Sequence, residues 1–72
     1  MNSSEVKRER FLRIASNRTN KVLTDLRLLG NCANRQNYIY EQKEVERIFK
    51  ALEQELKRVK TLFESEKREF KL

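Results

Sequence analysis

The sequence predicts an all-α fold: an antiparallel two-helix hairpin that dimerises into a four-helix bundle. Helix one is expected over about 4–29, a bend over 30–40 and helix two over about 41–68, all within one domain, 1–72. Three observations carry this. Apolar residues recur at alternating spacings of three and four in both halves, the period of a helix face. The only glycine, the only cysteine and both tyrosines gather in one stretch, LRLLGNCANRQNYIY, residues 26–40, as a chain reversal requires. Charged residues make up 39% of the chain and hydrophobic ones 38%, with no proline, a balance suited to long surface-exposed helices.

Helix one carries Leu12, Ala15, Thr19, Val22, Leu26 and Leu29 at spacings of 3, 4, 3, 4 and 3, with Phe11 and Leu23 beside them. Asn2, Ser3 or Ser4 can cap its start, and Glu5 suits the first turn, where the helix dipole favours negative charge. Gly30 follows the last stripe residue, the place for a left-handed C-terminal cap. A run of about 26 residues at ~1.5 Å each makes a rod of about 39 Å.

The bend contains Asn31, Asn34 and Asn37, residues that favour turns and caps because their side chains bond nearby backbone. Tyr38 and Tyr40 lie two apart and share a side in an extended approach to helix two. They are expected to plug the open end of the hairpin, their hydroxyls at the rim. Cys32 reads as a small residue in a turn, since no base or helix N-terminus is there to activate its thiol.

Helix two has the cleaner pattern. Val45, Phe49, Leu52, Leu56, Val59 and Phe63 follow one another at 4, 3, 4, 3 and 4, a heptad stripe that Ile48, Ala51 and Leu62 widen. Glu46–Lys50, Glu53–Lys57 and Glu64–Arg68 are spaced for i,i+4 ion pairs, and Glu41 and Glu44 stand where the helix begins. Past Phe63 the next stripe position is Glu66, so packing weakens there, and Phe70 is the residue that could restore it.

Matched rods joined by a short link normally lie antiparallel. A chain of 72 residues also buries little surface by itself. Cys32 has no intrachain partner for a disulfide, and with no histidine the commonest metal ligand is missing. Self-association is the remaining supplement, so the stripes Leu12, Val22, Leu26, Leu29 and Val45, Phe49, Leu52, Leu56, Val59, Phe63 are expected to form the core and dimer seam. Ile14 and Leu28 lie off the main stripe and could extend a second interface.

The same inventory argues against an enzyme. Without histidine, and with one cysteine and one aspartate, neither a Ser-His-Asp nor a Cys-His arrangement can be built. The glutamates spread along helix two at salt-bridge spacings, and one glycine cannot make a phosphate-binding loop. No cofactor and no metal are expected.

Charge points to a binding role. Residues 1–36 hold eight Lys/Arg against three acids, a net +5, whereas residues 37–72 hold nine against eight, a net +1. The excess lies opposite the stripe of helix one, on Arg10, Arg13, Asn17, Asn20, Lys21, Thr24 and Arg27, with Lys7, Arg8 and Arg18 at the borders; NRTNK, residues 17–21, is the densest part. Lys and Arg can pair with phosphates, and Asn can bond backbone or base edges. The nucleic-acid contacts are therefore assigned to Arg10, Arg13, Asn17, Arg18, Asn20, Lys21 and Arg27. Asn17 and Arg18 could equally bond the bend or the dimer mate.

The function expected from this is a non-enzymatic dimer that contacts DNA or RNA as a regulatory or accessory factor. The alternative is a protein-interaction module, a small adaptor or inhibitor that binds a partner protein through its helical faces. A membrane-surface helix is a weaker third reading, because helix one lacks Trp and its stripe includes Ala15 and Thr19. The N-terminus MNSSEVKRER has no apolar signal core, no run approaches a membrane span, and one free thiol accords with the cytoplasm.

Two resemblances add to this reading. The phrase NRTNKVLTDLRLLGNCAN…YIYEQKEVERIF resembles small helical proteins encoded by Gram-positive bacteria and their mobile elements, over residues from about 10 to 63. That implies a bacterial cytoplasmic setting and brings no assigned activity. In layout alone the chain is similar to plasmid copy-control RNA-binding hairpins, which dimerise as four-helix bundles; this chain is far more basic and shares no motif with them.

Overall fold

The structure is a computed structural model that describes residues 2–67. Among these residues the fold is all-α, with two helices and no strand: α1, Ser3–Asn31, and α2, Gln42–Lys67. The chain divides into two compact units, one through Tyr38 that contains α1 and one from Ile39 that contains α2.

α1 begins at Asn2. Its backbone is extended (φ −84°, ψ 159°), and its side-chain oxygen accepts the Glu5 N–H at 2.8 Å. The first-turn donors of a helix have no partner within the helix, so this bond satisfies one of them and fixes the starting residue. Of the three candidate caps, Asn2 does the capping, and Ser3 and Ser4 lie inside the first turn.

The other end departs from expectation. Gly30 lies within α1 and has no left-handed conformation. The helix closes instead by tightening into right-handed turns: Cys32, at φ −72° and ψ −8°, donates its N–H to the Leu29 carbonyl at 3.0 Å, and Ala33 donates to Gly30 at 3.1 Å. These i→i+3 bonds satisfy the last carbonyls without a positive φ, so the conformational freedom of glycine is not needed there. A Cβ at Gly30 would meet nothing within 4 Å. Gly30→Ala is accordingly expected to stabilise the helix by about 0.5–1 kcal/mol, seen as a higher thermal midpoint by circular dichroism. A left-handed cap would give the opposite sign.

The link is an asparagine-built turn. Asn34 accepts the Gln36 N–H on its side-chain oxygen at 2.9 Å, while its carbonyl accepts from Asn37 at 3.1 Å and from Tyr38 at 3.0 Å. One residue thus organises a full turn through side chain and backbone together. Ile39 is 100% exposed, Tyr38 is exposed and Tyr40 is half-buried.

α2 starts with one arm of a capping box. Glu44 reaches back to accept the Glu41 N–H at 2.8 Å, and the Glu41 carbonyl accepts from Glu44 at 3.0 Å. Because Glu41 stands where Ser or Thr would return the bond, its own carboxylate turns to Lys43 instead, at 3.4 Å. Position 68, the expected end of helix two, the Glu64–Arg68 pair and Phe70 lie outside the described residues.

An expected feature of α2 is replaced. Glu46–Lys50 and Glu53–Lys57 form no ion pair, whereas Arg58 grips Glu55 with two hydrogen bonds, Nε to Oε1 and Nη2 to Oε2, the second at 3.1 Å. The forked guanidinium matches the carboxylate geometry, which a lysine at i+4 cannot do. The Arg58 hydrogen bond holds the Glu55 carboxyl below its ordinary pKa, outweighing a small loss of hydration, and charge attraction adds to it. A folded-state pKa below the unfolded one means the pair supports α2 above the unfolded value and ceases to do so as pH falls through the folded one. Arg58→Ala should therefore move the Glu55 midpoint upward, measured by carboxyl-carbon NMR titration; an unmoved midpoint would show that the pair does not form in solution.

Candidate functional site

On each helix the 100° step per residue sorts side chains into faces. In α1, Phe11, Leu12, Ala15, Thr19, Val22, Leu23, Leu26 and Leu29 share an arc of about 120°. Opposite it, Arg27, Asn20, Arg13, Thr24, Asn17, Arg10 and Lys21 occupy another arc of about 120°. Of the seven residues expected to contact nucleic acid, six therefore share one face. Arg18 stands apart, about 60° beyond Lys21 and beside the edge of the apolar stripe.

All seven are exposed. Arg10, Arg13, Arg18 and Arg27 form no ion pair among the described residues. Lys21 does: its Nζ lies 3.8 Å from Asp25 Oδ2, with both side chains largely in water. Sequence reasoning passed over Asp25, although the spacing of four was there to read. The order, lysine before acid, is the less favourable one on a helix, and an exposed pair of this kind is weak. Asp25 thus lowers the positive potential at one border of the face without removing Lys21 from use.

The face has apolar intruders. Leu28 lies at its C-terminal end and Ile14 at its Lys21 border; Leu28 is exposed and Ile14 half-buried. Cys32 is free and exposed, its thiol 4.0 Å from the Leu28 carbonyl.

The apolar stripes are equally accessible. In α2, Val45, Phe49, Leu52, Leu56, Val59 and Phe63 fall within an arc of only about 80°. No described side chain in either helix is buried: Leu56 is 62% exposed and Leu52 38%. Leu12, Val22, Leu26, Phe49 and Phe63 are exposed as well, and Leu29, Val45 and Val59 are half-buried. Among the described residues no helix is long and apolar enough to cross a membrane.

The fold and the face define an all-α chain of two amphipathic helices, the first presenting an ordered basic surface. Comparison with known proteins adds no relative: no family model matches the chain, and neither a curated protein nor a solved structure matches it.

Proposed function

We propose that the chain works without catalysis, as a cytoplasmic dimeric helical module whose α1 contacts nucleic acid, in a regulatory or accessory role. The observation that carries this reading is the segregation on α1: six of the polar and basic residues share one exposed face, and the apolar stripe takes the opposite one. An assembly can bury the stripe and leave the basic face in water.

The assembly follows from the exposed stripes. Large apolar side chains along both helices lose stabilisation while they stay in water, each worth about 1.5–3 kcal/mol when fully covered. From the link outward, Leu29 to Leu12 and Val45 to Phe63 step along at complementary threes and fours. An antiparallel hairpin would therefore keep seam against seam for six positions. Two hairpins would close a four-helix bundle and cover the wide shoulders that Ile48 and Leu62 give α2. With +6 per chain, the dimer carries +12 and two basic faces.

Phosphate contacts of this kind release counterions, so log affinity should fall linearly and steeply with log salt. Fluorescence anisotropy with labelled duplex DNA and with RNA, from about 50 to 200 mM salt, tests this. A steep slope supports the reading, and no measurable binding to either probe at the lowest salt removes it. A partner that survives nuclease in a pull-down would favour the protein-interaction module instead.

A further inference from the structure

We propose that α1 lies in the major groove of duplex DNA, where Asn17 and Asn20 read adenines on neighbouring base pairs and the flanking cations hold phosphates. This rests on the nucleic-acid contact proposed above and names the kind of nucleic acid and the division of labour on the face.

The two asparagines carry the argument. The chain has six. Asn2 caps α1, Asn31 is its last residue, and Asn34 and Asn37 belong to the link, all places where a short amide is favoured. Asn17 and Asn20 stand instead in the middle of a 29-residue helix, where asparagine is disfavoured because its amide competes for nearby backbone. Both are exposed, and among the described residues neither amide makes a hydrogen bond. They lie about 60° apart on the polar arc, with donors and acceptors open to a ligand.

Their surroundings fit a groove. Arg10 and Arg27 lie ~13 Å along the axis on either side of the midpoint of the pair, with Arg13 and Thr24 at ~8 Å. A straight rod comes nearest to the floor of a curved groove at its middle and departs from it towards both ends. Short amides thus stand where base edges are closest, and long guanidinium groups stand where the phosphates are in reach. From Arg10 to Arg27 the arc contains no acid and no apolar side chain, and its four cations complement the phosphate charge. Glu9 comes just before Arg10, Leu28 just after Arg27, and Asp25 stands beside Lys21; the two acids work against the cations next to them.

The duplex follows from the shape of the reader. The major groove of B-DNA, ~12 Å wide, admits an α-helix, whereas that of A-form RNA is too deep and narrow. Single strands are held by stacking bases on aromatic rings, and Phe11, the one aromatic of α1, lies in the apolar stripe. In the major groove an asparagine amide accepts from adenine N6 and donates to N7 at once. Asn17 and Asn20 differ by ~4.5 Å of rise and a base step is ~3.4 Å, so each meets its own base pair.

Selection by the full chain from a pool of duplex DNA with a randomised centre tests this. The enriched sequences should share an element with adenines on neighbouring base pairs. On a duplex carrying that element, Asn17→Ala with Asn20→Ala should weaken binding by about thirtyfold or more, as two lost bidentate contacts imply. Binding to an unrelated duplex and the salt slope should both hold, because no phosphate contact is lost and alanine favours the helix. Replacing the adenines of the element by 7-deazaadenine, which pairs normally but lacks the N7 acceptor, should weaken the parent chain and leave the double variant unaffected.

Salt-dependent binding to the pool with no shared element overturns the proposal and leaves the proposed function standing. So does tighter binding to the same element made as RNA, an equal loss by the double variant on the element and on the unrelated duplex, or indifference of the parent chain to 7-deazaadenine. Absence of binding to every one of these probes overturns both.

Discussion

Leu56→Asp is expected to have the largest effect on the molecule as a whole, collapsing assembly and helicity together. Leu56 lies in the middle of the α2 stripe and is 62% exposed in the single chain, so its side chain is available for burial against a second copy. In a dimer the substitution strikes twice. Each copy forfeits about 2 kcal/mol of apolar burial and places a carboxylate where no partner waits, at a further cost of several kcal/mol if it stays charged. Even ~4 kcal/mol in total raises the dissociation constant about a thousandfold.

Helicity should follow assembly. α2 has 26 residues, none of its described side chains is buried, and helices acquire most of their stability from packing an amphipathic face. At micromolar concentration the variant should run as a monomer by light scattering and lose much of its ellipticity at 222 nm. Gln54→Asp, on the polar face of the same helix, should do neither. A wild-type chain that is monomeric and fully helical at every concentration would show that the stripe has no such role.

How far the structure could be foreseen depends on how many residues vote for each feature. Both helices were legible because a dozen stripe positions repeat one period. The basic face of α1 was legible for the same reason. Single-residue features were harder. Gly30 looked like a left-handed cap from its identity and its place after Leu29, yet a helix end can also close through right-handed turns, and Cys32 and Ala33 do so. Asn34 was legible as a turn former, whereas its double role, side chain to Gln36 and carbonyl to Asn37 and Tyr38, depends on backbone geometry that no spacing encodes.

The ion pairs were the least legible. Exposed pairs differ from one another by only a few tenths of a kcal/mol, so a count of i,i+4 spacings cannot say that Arg58 turns to Glu55 while Lys50 and Lys57 leave their acids alone. Arg18 shows another limit. It belongs to the dense NRTNK segment, but density along the chain is not adjacency on a helix, and its angle places it about 60° beyond the face, beside the apolar stripe. The cations of the face do not encode the identity of the ligand, because cations opposite a stripe answer to phosphate in any duplex or strand.

Removing Arg13, Lys21 and Arg27 together, each to Ala, is expected to have the largest effect on binding and the smallest on structure. All three are exposed and share the polar face, and alanine is the best helix former, so α1 should keep its helicity. Counterion release contributes about 0.9 log units per phosphate contact for each decade of dilution below ~1 M salt, so at ~0.15 M each contact is worth about fivefold. Three lost contacts amount to roughly a hundredfold in affinity, with a salt slope shallower by about three for each basic face that engages duplex DNA.

The decisive control keeps the net charge and changes its place. Replacing Arg47, Lys50 and Lys57 of α2 by Ala lowers the chain from +6 to +3, the same change as in the α1 variant. If affinity came from overall charge, the two variants would weaken binding alike. If it comes from the ordered face of α1, the α2 variant should stay within about threefold of the parent and keep most of its slope, since screened charges away from the contact add little at physiological salt. Asp25→Asn sharpens the contrast from the other direction, because it frees Lys21 from the carboxylate 3.8 Å away and should strengthen binding. Equal losses in the two triple variants would reduce the contribution of α1 to that of a charged rod, and the proposed interface would have to be abandoned.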